Sequence, residues 1–224
     1  MCRAAATCSE LGNDVGAWSR LAPLMPPPWF DGEFEKFRLA VERAAAGDVQ
    51  ESRRLLGQVR SDALRTWYIV HGQNSGVFRN RHYGIRATII DTARRGAPPS
   101  GLVSLSYKRD GYRCRYCGMR VIPIEVLRLY EGVVGTRFFA ATAKNASHGA
   151  AIVFRATYDH VEPLNCGGRH SLDNLVTACY SCNFGKGPYT LQQLGLDDPR
   201  SRPAMLDSWD GLVSLIPKLR RAGT

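Results

Sequence analysis

Cys114-Arg-Tyr-Cys117-Gly118, followed after a long excursion by Tyr158-Asp159-His160-Val-Glu-Pro163-Leu-Asn-Cys166-Gly-Gly168-Arg169-His170-Ser-Leu-Asp-Asn174-Leu-Val-Thr-Ala-Cys179-Tyr-Ser-Cys182-Asn183-Phe-Gly-Lys186, is the stretch from which the fold is read. Two C-x-x-C pairs bracket an Asp-His dipeptide and the asparagines Asn174 and Asn183. Four thiolates in two knuckles are the ligand set of a closed tetrahedral zinc site, so Cys114, Cys117, Cys179 and Cys182 are expected to hold a structural Zn2+. A closed site has no position for a substrate. Any chemistry therefore falls to the polar residues between the knuckles.

Working outward, Asp110-Gly111 is a turn signal, and Tyr112-Arg113 is expected as a short strand that delivers the first knuckle. The run 151–158 is β-branched and aromatic, which predicts a strand ending at Asp159-His160. Pro163 and Gly167-Gly168 then mark a loop, 175–177 a returning strand, and 179–186 a helix whose first turn carries the second knuckle. Phosphodiester hydrolysis needs an activated water and a cation to neutralise the charge that builds on phosphate. Hard ions take oxygen ligands, which Asp159 and Asn183 offer. His160 is the candidate general base, because an imidazole is largely neutral at physiological pH. Neighbouring strand residues face opposite ways, so Asp159 and His160 meet one ion only if the strand ends or bends there. Lys186 and Arg169 are candidate phosphate contacts. Each residue has a structural explanation when taken singly; all four polar residues inside a two-knuckle frame favour hydrolysis.

The stretch 107–188 resembles the HNH endonuclease family in its four-cysteine, zinc-stabilised form. The resemblance implies an α+β fold with a ββα-metal, treble-clef-like nuclease domain. It also implies that His160 is the base, that Asp159 binds a catalytic ion, and that Asn174 holds the loop so that the His160 ring is oriented. Asn183 stands at the third position of the family pattern, where histidine is frequent, and can ligate through oxygen. Mg2+ or Mn2+ is the implied catalytic cofactor and DNA the implied substrate, cut to 3′-hydroxyl and 5′-phosphate ends.

The flanking sequence sets the domain expectations. Residues 1–30 read as poorly structured, ending in a proline run. Residues 31–95 read as a small helical, basic accessory domain. Phe34, Phe37, Val41 and Ala44 recur at helical spacing after Asp31, a candidate cap. Asp48 and Glu51 read as a capping box, and Ser61-Asp62 as the start of a third helix. The segment 71–86 reads as a basic loop, with Arg79, Arg81 and Arg86 either as nucleic-acid contacts or on a solvated turn between helices. A short helix over 87–94 and a linker at 96–101 precede the nuclease domain, 102–190. That domain carries an insertion near 119–150, and 191–224 is a C-terminal extension.

The 224 residues carry 30 basic and 20 acidic side chains, a net charge of +10 that suits a polyanionic partner. Paired cysteines with no signal-peptide core and no membrane-length apolar run indicate an intracellular, reducing, cytoplasmic setting. A double-strand cut by two active sites is compatible with a homodimer or a larger nuclease complex. The competing reading is a non-catalytic zinc-knuckle module for nucleic-acid binding or protein interaction.

Overall fold

The computed structural model describes residues 8–86, 96–139 and 147–223. Among these, ten α-helices surround one two-stranded antiparallel sheet: α1 Trp29–Ala45, α2 Val49–Gly57, α3 Ser61–Val70, α4 Ser75–Tyr83, α5 Ser100–Arg109, α6 Ile124–Val134, α7 Gly149–Val153, β1 Ala156–His160, β2 Leu175–Cys179, α8 Tyr180–Lys186, α9 Leu191–Leu194 and α10 Ile216–Ala222. The fold class is α+β, and β1, β2 and α8 make its ββα unit.

The apolar spacing of α1 does what its periodicity predicts. Phe30, Phe34, Phe37, Val41 and Ala44 are all buried on one face. The helix starts earlier than the expected cap at Asp31, because Pro28 already has helical φ and ψ of −57° and −27°. Proline lacks an N–H that a first turn would leave unpaired anyway, so it opens a helix without loss. Asp31 instead sits in the first turn, where a carboxylate faces the positive end of the helix dipole. Asp48 does cap α2, accepting from the Glu51 amide at 3.1 Å.

The largest core joins α1 to residues far along the chain. Phe30, Phe34 and Phe37 pack with Leu64, Trp67, Val126, Leu127, Tyr130, Phe138, Phe154 and Leu219. The helices before residue 71 therefore share one interior with α6, α7 and α10. The helix expected over 87–94 falls outside the described residues. The C-terminal extension braces the first knuckle: Trp209 Nε1 donates to the Tyr112 carbonyl at 3.1 Å, and Arg113 pairs with Asp207. No helix among the described residues is long and apolar enough to cross a membrane.

Three local expectations are corrected. The segment 71–86 is no loop: α4 occupies most of it, with Ser75, Gly76, Phe78 and Arg79 as its buried residues. A buried face made of a serine, a glycine and an arginine leaves no apolar period to read. The first half of the expected strand over 151–158 is the helix α7. Its partner is α3, which it meets so closely that a Cβ on Gly149 would stand 2.0 Å from the Ser61 carbonyl oxygen. Tyr112-Arg113 forms a single bridge, Arg113 to Arg120, and no strand.

His148 caps α7 through Nδ1, which accepts from the Ala150 amide at 3.3 Å, while its ring lies against Phe37 and Phe138. Burial pushes its pKa down to about 4. The folded protein thus refuses a proton that the unfolded chain accepts near 6.5. Stability is fully present above about pH 6.5 and is lost progressively toward pH 4. We expect the melting temperature to fall across that window and to fall less in His148→Asn, which keeps a capping acceptor without the titration. Thermal melts of both proteins from pH 7 to pH 4 decide it; identical slopes would remove His148 as a cause.

Candidate metal centre and active site

Two turns and a helix start bring the four cysteines together. Between Cys114 and Gly118 the chain closes a tight loop, with the Gly118 amide on the Cys114 carbonyl at 2.9 Å and the Cys114 amide on Met119 O at 2.9 Å. Asp110 anchors the approach: wholly buried, it accepts from Arg109 at 2.8 and 2.9 Å and from the Thr177 amide of β2 at 2.7 Å. Cys179 ends β2 and caps α8, its Sγ accepting from the Cys182 amide at 3.3 Å. The sulfurs of Cys114, Cys117, Cys179 and Cys182 all lie within 4.8 Å of one another, and all but Cys117 are buried. Four converging sulfurs are compatible with a structural zinc, for which four thiolates form a closed tetrahedral donor set. Cys166 lies outside the cluster.

The hairpin above the knuckles carries the chemical candidates. Asp159 pairs with Val176, and His160 with Leu175, in an antiparallel register. Alternation then separates the two side chains. Tyr158 and His160 share a face, their rings 6.0 Å apart and edge-on, while Asp159 is only 5% exposed. The Asp159 carboxylate accepts from Tyr116 Oη at 2.5 Å and from Lys186 Nζ at 3.3 Å. Burial pushes the Asp159 carboxyl above its ordinary range, against the opposing pull of the Lys186 ammonium and the Tyr116 hydroxyl.

Lys186, expected as a phosphate contact, is 1% exposed and spends its ammonium on Asp159 and on the His160 carbonyl at 2.8 Å. Its aliphatic stem and its charge both point inward. Arg79, the other misplaced contact, is completely buried. Its guanidinium donates to the carbonyls of Pro23, Leu194, Ser19 and Ala22 at 2.6–3.0 Å, tying the N-terminal segment to α9. Arg79→Ala would leave four acceptors unpaired, a loss on the order of 3 kcal/mol. Urea denaturation should show it as a lower midpoint; an unchanged midpoint would mean water replaces the guanidinium at no cost. Arg81, Arg86 and Arg169 are exposed.

Asn174 closes the loop between the strands. Its Oδ1 accepts from the Glu162 amide at 2.8 Å, and its Nδ2 donates to the carbonyls of Glu162 and Arg169 at 3.0 and 3.1 Å. Gly167 takes φ of 97°, and a Cβ on Gly168 would fall 2.0 Å from the Glu162 carbonyl oxygen. That pair of glycines lets the loop fold back under His160. Asn183 donates Nδ2 to the Tyr158 carbonyl at 2.9 Å, which leaves its side-chain oxygen available.

Asp159, His160 and Asn183 line one open cavity of about 410 Å³, with Tyr107, Arg155, Tyr158 and Phe184 on its walls. The strand does not bend at this point, so the convergence expected of Asp159 and His160 is not formed: the carboxylate is buried against Tyr116 and Lys186, and the Asn183 side-chain oxygen is the donor left to suit a hard ion. Burial, the His170 ring and the Lys186 charge hold His160 down to a pKa of about 4, so its imidazole is neutral at physiological pH. His170 itself was missed. Its only signal in the sequence is a histidine in the Gly-Gly-Arg-His loop, one that no ligand spacing singles out.

The family model described as HNH endonuclease matches residues 149–188. That span holds Asp159, His160, Asn174, Asn183 and the second cysteine pair; the first pair lies outside it and reaches the site through the fold. No curated protein and no solved structure matches the chain. The match and the cysteine cluster together point to a nuclease-type domain.

Proposed function

We propose that the chain is an endonuclease that hydrolyses phosphodiester bonds in DNA, with His160 as general base. The observation that supports this most is a neutral imidazole that lines one cavity with Asn183, on a hairpin braced by four clustered cysteines and inside the span matched by the HNH model. In this reading His160 takes a proton from a water, whose oxygen attacks phosphorus. The P–O3′ bond breaks, the 3′-oxygen takes a proton from solvent, and a 5′-phosphate remains. Asp159 and Asn183 would hold a magnesium or manganese ion, which when bound offsets charge on the phosphate and the departing oxygen. Asn174 keeps the loop beside His160 in place. Arg169, Arg81 and Arg86 supply exposed positive charge for the backbone, and the N-terminal helices serve as substrate- or partner-binding equipment. A reducing intracellular compartment suits the four thiolates.

One observation favours the competing, non-catalytic reading: Asp159 is buried and already paired with Lys186. Supercoiled plasmid in metal-free buffer, with Mg2+ or Mn2+ then added to the zinc-loaded protein, separates the two. Nicked or linear product that appears only with the added ion supports hydrolysis. Gel-shifted but uncut DNA across the metal panel supports a binding module.

A further inference from the structure

Phe184 lines the cavity that holds His160, and it is 48% exposed. It directly follows Asn183 in α8. Tyr180, one helical turn earlier, backs it: the ring centroids are 4.3 Å apart and the planes are tilted by 36°. The Arg155 guanidinium lies over the same Tyr180 ring, 4.4 Å from its centroid. Tyr180 also meets Tyr68 of α3 at 5.2 Å, which ties the ring to the helical part of the molecule. Arg155 lines the cavity too, and it pairs with no carboxylate among the described residues. Arg109, Arg113, Arg120 and Arg200, by contrast, each pair with an acidic side chain. One tyrosine thus sets a half-exposed ring and an available guanidinium on the same space.

We propose that Phe184 and Arg155 form a nucleotide subsite for single-stranded DNA: an unpaired base stacks on the Phe184 ring and Arg155 holds its phosphate. The place of this subsite beside the cleaved bond rests on the nuclease reading above. Stacking needs an open base face. In a continuous duplex the neighbouring pairs cover each face, so Phe184 has nothing to stack on there. Every base has a π-face, so the subsite selects for strandedness and not for sequence. The planar fork of Arg155 suits two phosphate oxygens at once. Its contact with Tyr180 limits the rotamers of a long side chain before phosphate arrives, so less order is lost on binding.

Fluorescence anisotropy with labelled oligonucleotides, on the full-length, zinc-loaded protein without added Mg2+ or Mn2+, tests this apart from cleavage. A single strand should bind roughly tenfold more tightly than the duplex of the same sequence. Phe184→Ala and Phe184→Leu should each weaken single-strand binding about 5- to 20-fold and leave duplex binding within about twofold. Leucine keeps the apolar bulk and lacks the π-face, so it separates stacking from packing. Phe184→Trp should retain the preference. Arg155→Gln should weaken single-strand binding and flatten its dependence of log affinity on log salt by about 0.7, one phosphate's share. The Phe184 variants should leave that slope unchanged. Circular dichroism and zinc content guard against loss of fold. A wild type that binds duplex as well as single strand, a Phe184→Leu protein with wild-type affinity, or an unchanged salt slope in Arg155→Gln would overturn the proposal. A strand preference in a protein that cuts no DNA with Mg2+ or Mn2+ would uphold the subsite and defeat the nuclease reading. Cleavage by a protein with no strand preference would do the opposite.

Discussion

Cys182→Ser is expected to abolish the folded ββα unit, and Cys114→Ser to do the same. The second core of the molecule is built on the ligands themselves: Cys114, Cys179 and Cys182 are buried among Tyr116, Val121, Val161, Val176 and Ala178. Few other apolar groups are there to hold β1, β2 and α8 together once the metal is gone. A structural zinc in small domains contributes roughly 10–16 kcal/mol of apparent binding energy. Whole-domain stability is typically about 5–15 kcal/mol. Losing one thiolate therefore costs a large share of the total. The expected readouts are a zinc content falling from about one per chain, early proteolysis between 114 and 186, and a much lower melting temperature. Cys166→Ser, outside the sulfur cluster, should change none of these. A Cys182→Ser protein that lacks zinc yet melts like wild type would mean the metal has no structural role.

His160→Ala is expected to keep the fold and lose cleavage. The ring is half-buried at the end of β1, and among the described residues its side-chain hydrogen bond is to His170. Truncation removes about one hydrogen bond of stability, roughly 1 kcal/mol. Removing a general base typically slows a reaction about 10²- to 10⁴-fold. Single-turnover nicking of supercoiled plasmid would report that loss, with circular dichroism and zinc content unchanged. Wild-type cleavage by the alanine variant would strip His160 of the role and shift attention to the pair formed by Asp159 and Lys186.

The four-cysteine cluster and the ββα order were legible because both rest on local rules. A C-x-x-C turn brings its own two sulfurs together, and an Asp-His at a strand end followed by glycines reads as a hairpin whatever surrounds it. Orientation was another matter. That strand residues alternate is known in advance, but which of Asp159 and His160 turns inward is set by what waits inside. Here Tyr116 and Lys186 wait there, 43 residues upstream and 27 downstream of Asp159. The segment 151–153 carries residues that suit a strand, yet it coils because small Gly149 and Ala150 let it close against α3.

From its residue order alone, then, this protein declares a four-cysteine metal frame, a strand–loop–strand–helix unit and the polar residues held within it. Only the tertiary structure decides that Arg79 and Lys186 are interior cations, that Asp159 is already partnered, and that a second histidine stands behind the first. Ligand spacing and turn chemistry act within a few residues, so they are written locally. Burial and hydrogen-bond partnership depend on which distant segments arrive at the same place, and that is settled by packing the whole chain.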